Sequence, residues 1–266
     1  MRILGIDLAA QPRNTGVVVL DPGESGRWRA DLPPEVATDE HLVELGGHVD
    51  LIGVDAPLGW PIAFVQAVRA HEDREPWPGT KDRRSLTHRH TDNVVRDHGR
   101  GQPMSASADL LGHVAMRCAL LQRDWAERWG GAAPRDGSGR LVEAYPAAAL
   151  RAWHLPERGY KGQSAEAGRV RKAILAGIVD DCSTWLDLDR VRSACIDSDH
   201  TLDALLSALN ALAARAHQTF PPESVEDHHC AVLEGWIHVP SVPLASVRPP
   251  VDPASLVDPA RDESPF

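Results

Sequence analysis

The sequence contains no uninterrupted run of about 18 apolar residues, the length that a membrane-spanning helix needs. Its first residues lack the basic and then apolar order of a secretory signal peptide, because a strand-like run begins at the second residue. Cysteine is also scarce, and the four cysteines show no C-x-x-C spacing, which disfavours a disulfide framework. These absences predict a cytoplasmic protein with reduced thiols and no membrane partner.

Lysine is nearly absent, because Lys81, Lys161 and Lys172 are the only lysines and arginine supplies almost all the positive charge. The formal net charge is -10, which argues against a protein that holds nucleic acid by bulk electrostatic attraction. An enzyme acting on nucleic acid would therefore need cations or arginines concentrated at its site.

Two signatures of phosphate and metal binding are missing as well. The G-x-x-x-x-G-K-[ST] phosphate loop does not occur. The histidine groupings at His88 and His90 and at 227–230 lack a second ligand pair at the usual zinc spacing, which disfavours zinc. Carboxylates remain as the candidates for holding a metal.

Four acidic residues stand where an apolar run ends or a helix begins. Asp7 and Asp55 each close a strand-like run, Glu143 lies in a third run, and Asp203 lies near the start of an Ala- and Leu-rich helix. Carboxylates at the ends of parallel strands converge in one crevice, where ligands normally bind. Because converging carboxylates repel one another unless cations lie between them, the pattern predicts a divalent metal site.

The order of strand-like and helix-like patterns predicts an α/β fold. Three opening strands, at 3–8, 16–20 and 27–29, predict an antiparallel meander. Two later apolar runs, at 51–54 and 141–145, predict strands parallel to the first. The pattern predicts a mixed five-stranded sheet with helices on both faces, in a single domain over residues 1–240.

Two segments fall outside this pattern. Residues 57–101 are rich in proline and arginine and predict a loop-rich insert, a length of irregular chain that is usually functional or disordered. Guanidinium groups suit phosphate oxygens, so Arg83, Arg84 and Arg89, with Asp92, are the candidates for binding substrate. The Pro-rich, acidic residues 241–266 predict a loosely ordered tail.

Six short segments, in chain order, carry a family resemblance. They are GIDLA at 5–9, GVDAP at 53–57, RHTD at 89–92, EAYP at 143–146, LDALLSAL at 202–209 and EGWI at 234–237. Together they resemble domain-of-unknown-function family 429, over about residues 1–240. The resemblance implies a ribonuclease H-like fold and a predicted nuclease activity.

The resemblance also implies roles for the acidic residues. Asp7, Asp55 and Asp203 match the carboxylate positions of the wider ribonuclease H-like superfamily, and Glu143 would be an additional ligand. Where some of those enzymes carry a second acidic residue on the late helix, this chain has His200, which leaves the identity of the metal open.

The sequence thus predicts hydrolysis of a phosphodiester bond in nucleic acid, with Mg²⁺ or Mn²⁺ held by Asp7, Asp55, Glu143, Asp203 and His200. Two alternatives stay open. An actin-like ATP or phosphotransfer enzyme also opens with Gly-x-Asp and a hairpin, although a duplicated domain and a second glycine-rich loop are not found here. A catalytically silent binding or scaffold protein could retain the same fold. The oligomeric state is not predicted.

Overall fold

A computed structural model describes residues 1–23, 26–33, 36–77, 83–107 and 109–250. The strands are β1 (Ile3–Asp7), β2 (Gly16–Pro22), β3 (Trp28–Asp31), β4 (Leu51–Asp55), β5 (Leu141–Glu143) and β6 (Leu186–Asp187). The helices are α1 (Asp39–Gly47), α2 (Ile62–Glu72), α3 (Arg84–Thr87), α4 (His90–Asp97), α5 (Asp109–Trp129), α6 (Pro146–Ala152), α7 (Ala165–Cys182), α8 (Arg192–Asp197), α9 (Asp199–Arg215) and α10 (Val225–Glu234). Across these ranges, no helix has the length and apolar character needed to cross a membrane.

The strands form one mixed sheet in the order β5-β4-β1-β2-β3-β6. Strands β1, β2 and β3 make the predicted antiparallel meander, and β4 and β5 run parallel to β1, which confirms the mixed α/β sheet. The prediction of five strands was wrong, because β6 pairs in parallel with β3. Its two residues are too few to show the alternation by which a strand is recognised in a sequence.

Successive residues of the central strands face two separate cores. Ile3 packs with α7 and α9, whereas Leu4 and Ile6 pack with α1 and α5 on the other face. Because side chains alternate along a strand, Asp7 lies on the same face as Ile3. The same alternation in β4 places Asp55 on the α9 face.

Glycines in three neighbouring strands let the backbone of α9 lie directly on the sheet. A Cβ at Gly5 would stand 2.0 Å from the carbonyl oxygen of Ala204, and one at Gly53 would stand 2.1 Å from that of Ser207. A Cβ at Gly16 would meet the carbonyl oxygen of His200 at 1.9 Å. Any side chain at these positions would lift the helix, so the glycines fix both its distance and its position along the sheet.

The segment predicted as a loop-rich insert contains three helices, since α2, α3 and α4 all lie within 57–101. Its prolines and charged residues interrupt the apolar pattern by which helices are recognised in a sequence. Residues 78–82 of the segment lie outside the described part of the chain. The predicted loose tail is also corrected in part. Leu244 and Val247 are fully buried in the α9-side core, while residues 251–266 lie outside the described part.

We expect Gly5→Ala to destabilise the protein severely, because its methyl group would overlap the backbone of α9. Overpacking of this kind costs about 1–3 kcal/mol, and a backbone obstacle places Gly5→Ala at or above the upper end. Urea unfolding measures this loss. The matched control is Gly112→Ala in α5, where nothing lies within 4 Å and alanine favours the helix. Equal stability of the two variants would contradict the close packing of α9.

Candidate functional site

Two carboxylates meet where β1 and β4 end. The strands pair in parallel with Asp7 opposite Asp55 and Gly5 opposite Gly53. Both aspartates are the last residues of their strands, and both lie on the face that α9 covers. The shared register therefore places two negative side chains next to each other at one edge of the α9 interface.

Helix α9 brings a third carboxylate to the same point. Asp203 directly precedes Ala204, whose carbonyl packs against Gly5, and its side chain is completely buried. One oxygen from each of Asp7, Asp55 and Asp203 lies within 4.8 Å of the other two. The predicted convergence of carboxylates is confirmed for these three residues.

Glu143 lines the same cavity but has other partners. Its Oε1 and Oε2 accept hydrogen bonds from the Arg89 guanidinium at 2.5 and 2.7 Å, and Oε2 also accepts one from the Leu58 N–H at 3.1 Å. The structure thus places the fourth predicted carboxylate in a buried ion pair beside the three aspartates.

Every hydrogen-bond donor of the Arg89 side chain bonds to another group of the protein. Its five N–H groups make two bonds to Glu143, two to Asp92 and one to the carbonyl oxygen of Glu234. A guanidinium has only five donors, so none remains for a substrate phosphate. Arg89, Asp92 and Glu143 are buried together and line the cavity. With one basic and two acidic side chains, this part of the cavity wall is slightly acidic.

The other two predicted substrate-binding residues lie away from this group. Arg83 is exposed at the start of α3, and the Nε of Arg84 donates to Asn93 Oδ1 at 2.6 Å. Neither belongs to the described residues that line the cavity. Of the four residues predicted to contact substrate, only Arg89 and Asp92 reach its wall.

The buried ion pair belongs to a network that holds the proline- and arginine-rich segment to the sheet. The carboxylate of Glu234, at the end of α10, accepts the backbone N–H groups of Ile62 at 2.7 Å and His90 at 2.6 Å. Those two residues begin α2 and α4. Glu234 therefore satisfies unpaired N–H donors at the starts of two helices and connects both helices to α10.

Three further side chains surround the aspartate cluster. His200, which the sequence predicted as a further metal ligand, has its Nδ1 2.7 Å from Asp7 Oδ2. Lys161 Nζ donates to Asp203 Oδ2, and the Tyr160 hydroxyl donates to Asp203 Oδ1 at 3.0 Å. Sequence reasoning missed Tyr160 and Lys161. Their only signal was rarity, because the chain has two tyrosines and few lysines.

Arg171 fixes the loop that carries Lys161. This buried residue of α7 donates to the carbonyl oxygens of Tyr160 at 2.6 Å and Gly162 at 2.7 Å, one on each side of Lys161. It also donates to the carbonyl oxygen of Ile196 at 2.7 Å, at the end of α8. The ammonium group of Lys161 is therefore held beside Asp203 by its backbone as well as by its own charge.

The electrostatics of the cluster resist three simultaneous negative charges. Burial, and then the charges of Asp7 and Asp203, raise the pKa of Asp55 well above its ordinary value. Burial raises the pKa of Asp203 to about 7, although Lys161 opposes the shift. The hydrogen bond to Asp7 raises the pKa of His200. Protons or cations must therefore neutralise part of the cluster.

Two of the three clustered aspartates, Asp7 and Asp55, border a cavity of about 410 Å³. Its charged lining consists of Asp7, Asp55, Asp92, Glu143, Arg89 and Lys161, and much of the remaining lining is apolar or aromatic. That part includes Pro57, Pro103, Met104, Leu111, Val114 and Tyr145. A cavity with a few polar groups set in an apolar lining is the usual form of a small-molecule site.

The donor set of the cluster fits a hard divalent cation. Asp7, Asp55 and Asp203 offer oxygen ligands, which Mg²⁺ and Mn²⁺ prefer over nitrogen and sulfur. His200 already bonds one of these carboxylates, in the manner of an outer partner that orients a ligand. Lys161 supplies a single positive charge at the same cluster, which a cation would have to share or displace.

Comparison with known families gives one match. The family model described as "Protein of unknown function (DUF429)" matches residues 5–227, which include Asp7, Asp55, Glu143 and Asp203. No curated protein and no solved structure matches the chain.

We expect Asp55→Asn to stabilise the metal-free protein at pH 8. The folded-state pKa of Asp55 is raised above its ordinary value of 3.8, so the stability linked to its proton is complete below 3.8 and is lost as the pH rises through the folded pKa. The neutral amide avoids this loss. The melting temperature should rise by about 2–4 °C for each kcal/mol of repulsion relieved, and the gain should vanish toward pH 4.

The control for this measurement is Asp189→Asn, which neutralises a carboxylate that is 81% exposed. It should change the melting temperature little at any pH. Melting in EDTA and then in Mn²⁺ separates the two contributions, because the cation should stabilise wild type more than Asp55→Asn. An Asp55→Asn variant that melts lower than wild type at pH 8 in EDTA would contradict the repulsion.

We expect Glu143→Gln to reduce stability more than metal affinity. Replacing the carboxylate weakens two charge-assisted hydrogen bonds, which should lower the free energy of unfolding by about 1.5–3 kcal/mol. Mn²⁺ affinity, measured by calorimetry on the folded protein, should fall by less than about tenfold. The exposed Glu44→Gln is the control. Unchanged stability with abolished Mn²⁺ binding would instead support Glu143 as a direct ligand.

Proposed function

Because the chain belongs to the DUF429 family, whose description leaves its activity open, we propose a function from the site itself. The proposed activity is hydrolysis of a phosphodiester bond in nucleic acid, with Mg²⁺ or Mn²⁺ held by Asp7, Asp55 and Asp203. The convergence of these carboxylates from β1, β4 and α9 carries the proposal. The ribonuclease H-like interpretation is supported by the meander, the two parallel strands and the late helix that bears the third aspartate.

Divalent cations at this cluster would polarise a phosphoryl oxygen and neutralise charge that develops on the phosphate. The protein supplies the preorganised surroundings. Tyr160 and Lys161 fix the carboxylate of Asp203, and His200 fixes that of Asp7. Because both strands and the helix are packed through their backbones, the ligand oxygens are held before substrate arrives, which limits the reorganisation that catalysis would require.

In this proposal, Glu143 shapes the cavity wall and is not one of the metal ligands. Its ion pair with Arg89 builds the wall next to Asp55 and connects that wall to α4. Arg89 and Asp92 likewise shape the cavity and do not grip a phosphate, because their polar atoms bond each other and Glu143. A role of Glu143 as a further metal ligand would require the Arg89 pair to open.

One observation favours a second candidate, a binding protein that works without metal. Lys161 already places an ammonium group against Asp203, which lowers the charge of the cluster without any ion. A catalytically silent protein could keep its fold in this way. The actin-like alternative gains no such support, because the described chain contains one sheet and no repeat of it.

We expect the protein to cut nucleic acid in Mn²⁺ or Mg²⁺ and not in EDTA. The panel should contain single- and double-stranded DNA, RNA, RNA–DNA hybrids and branched DNA. Asp7→Asn should lower the rate by more than the roughly 100-fold that the loss of an outer-sphere partner costs. Asp189→Asn, a surface change, should cut like wild type. Equal cutting by Asp7→Asn would refute the proposal.

Calorimetric titration with Mn²⁺ tests the second candidate separately. Saturable binding that Asp7→Asn abolishes supports a metal enzyme. Absence of binding at millimolar Mn²⁺, together with no cleavage of any substrate, would favour the metal-free binding protein.

A further inference from the structure

The cavity offers little to a long phosphate backbone. Proteins that hold duplexes place several lysines or arginines on successive phosphates. Among the described residues that line this cavity, the only lysine or arginine side chains are Arg89 and Lys161. Arg89 has no donor left, and Lys161 bonds Asp203. The acids Asp7, Asp55, Asp92 and Glu143 outnumber them.

The apolar wall is built around Tyr145. The backbone at Gly101 passes so close to this ring that a Cβ there would stand 2.6 Å from Tyr145 Cε1. Farther along the chain, Pro103 and Met104 belong to the same lining. A flat organic group fits a wall of this kind, because proline, methionine and aromatic side chains pack well against ring faces.

Two serines hold this wall in position. Ser105 Oγ donates to the carbonyl oxygen of Thr87 at 2.8 Å, and Ser107 Oγ donates to that of Leu86 at 2.8 Å. These two hydrogen bonds connect residues 105–107, which directly follow Pro103 and Met104, to α3. Met104 nevertheless remains 61% exposed, which leaves its side chain available to a ligand.

We propose that the cavity binds a single nucleoside phosphoester, either a free nucleotide or the unpaired end of a strand. The base packs against Met104, Tyr145 and the neighbouring apolar side chains, and the phosphate lies toward Asp7 and Asp55. The volume of about 410 Å³ lies within the ~300–1,000 Å³ of small-molecule pockets. The placement of the phosphate rests on the proposed function, because cations at the aspartates would attract it. The base site rests on the cavity alone.

The base site is tested by binding, without catalysis. We expect Mn²⁺-loaded protein to bind thymidine 5′-monophosphate at least ten times more tightly than inorganic phosphate in a calorimetric titration. Met104→Ala should weaken nucleotide binding about two- to tenfold, since a methionine sulfur contributes ~0.3–1.5 kcal/mol against an aromatic ring. The same variant should leave inorganic phosphate and Mn²⁺ binding unchanged.

The chain provides a matched control. Met116 on α5 is 59% exposed, close to the value for Met104, but it does not line the cavity. Met116→Ala should bind the nucleotide like wild type. Val114→Phe adds bulk inside the cavity and should also weaken nucleotide binding while Mn²⁺ binding persists. Equal binding of nucleotide and phosphate, or equal effects of Met104→Ala and Met116→Ala, would overturn the base site.

Cleavage separates this inference from the proposed function. In Mn²⁺, the kcat/KM for a short single-stranded oligonucleotide should exceed that for the duplex of the same sequence by more than tenfold. Nucleotide binding as expected with no cleavage of any substrate would refute the hydrolytic function and leave the base site standing. Efficient cleavage with a preference for duplex, and no preference for nucleotide over phosphate, would refute the base site and leave the hydrolytic function standing.

Discussion

The direct contact between the backbone of α9 and the sheet is the constraint on which the candidate site depends. Gly5, Gly16 and Gly53 carry no side chain, so the carbonyl groups of the helix reach the strands themselves. This contact sets how closely α9 approaches the sheet, and with it the position of Asp203 and His200. A helix resting on larger side chains would hold those residues farther from Asp7 and Asp55, and the cluster would not form.

The four acidic residues of the site differ in how their negative charge is compensated. Three aspartates share one point with a single ammonium partner, so their mutual repulsion remains partly uncompensated and favours a cation. Glu143 instead meets a guanidinium whose five donors are all satisfied within the protein. A buried pair of that kind contributes little net stability compared with apolar packing, but removing one partner is costly. The first arrangement suits binding of an ion, and the second suits shaping a wall.

Much of the fold, and the three converging aspartates of the site, could be predicted from particular residues. Continuous apolar runs that end at Asp7 and Asp55 predict buried parallel strands whose carboxylates stand at the same edge of the sheet. Thr38 and Ser164 mark the starts of α1 and α7 by local capping bonds. The helices of 57–101 were missed because prolines and charged residues interrupt their apolar pattern, and polar bonds to Glu234 add to the apolar contacts that hold the segment in place.

The sequence by itself determined the mixed sheet, the first five of its strands and the strand ends at which acidic side chains stand, since these follow from the pattern of apolar runs along the chain. Only the tertiary structure decided which charges meet. Lys161 reaches Asp203 across 42 positions, and Arg89 reaches Glu143 across 54. Long-range pairs of this kind depend on how close whole elements pack, and no local pattern encodes that distance. The physical reason is that a charged residue looks the same in the sequence whether water, a metal ion or a buried partner compensates its charge.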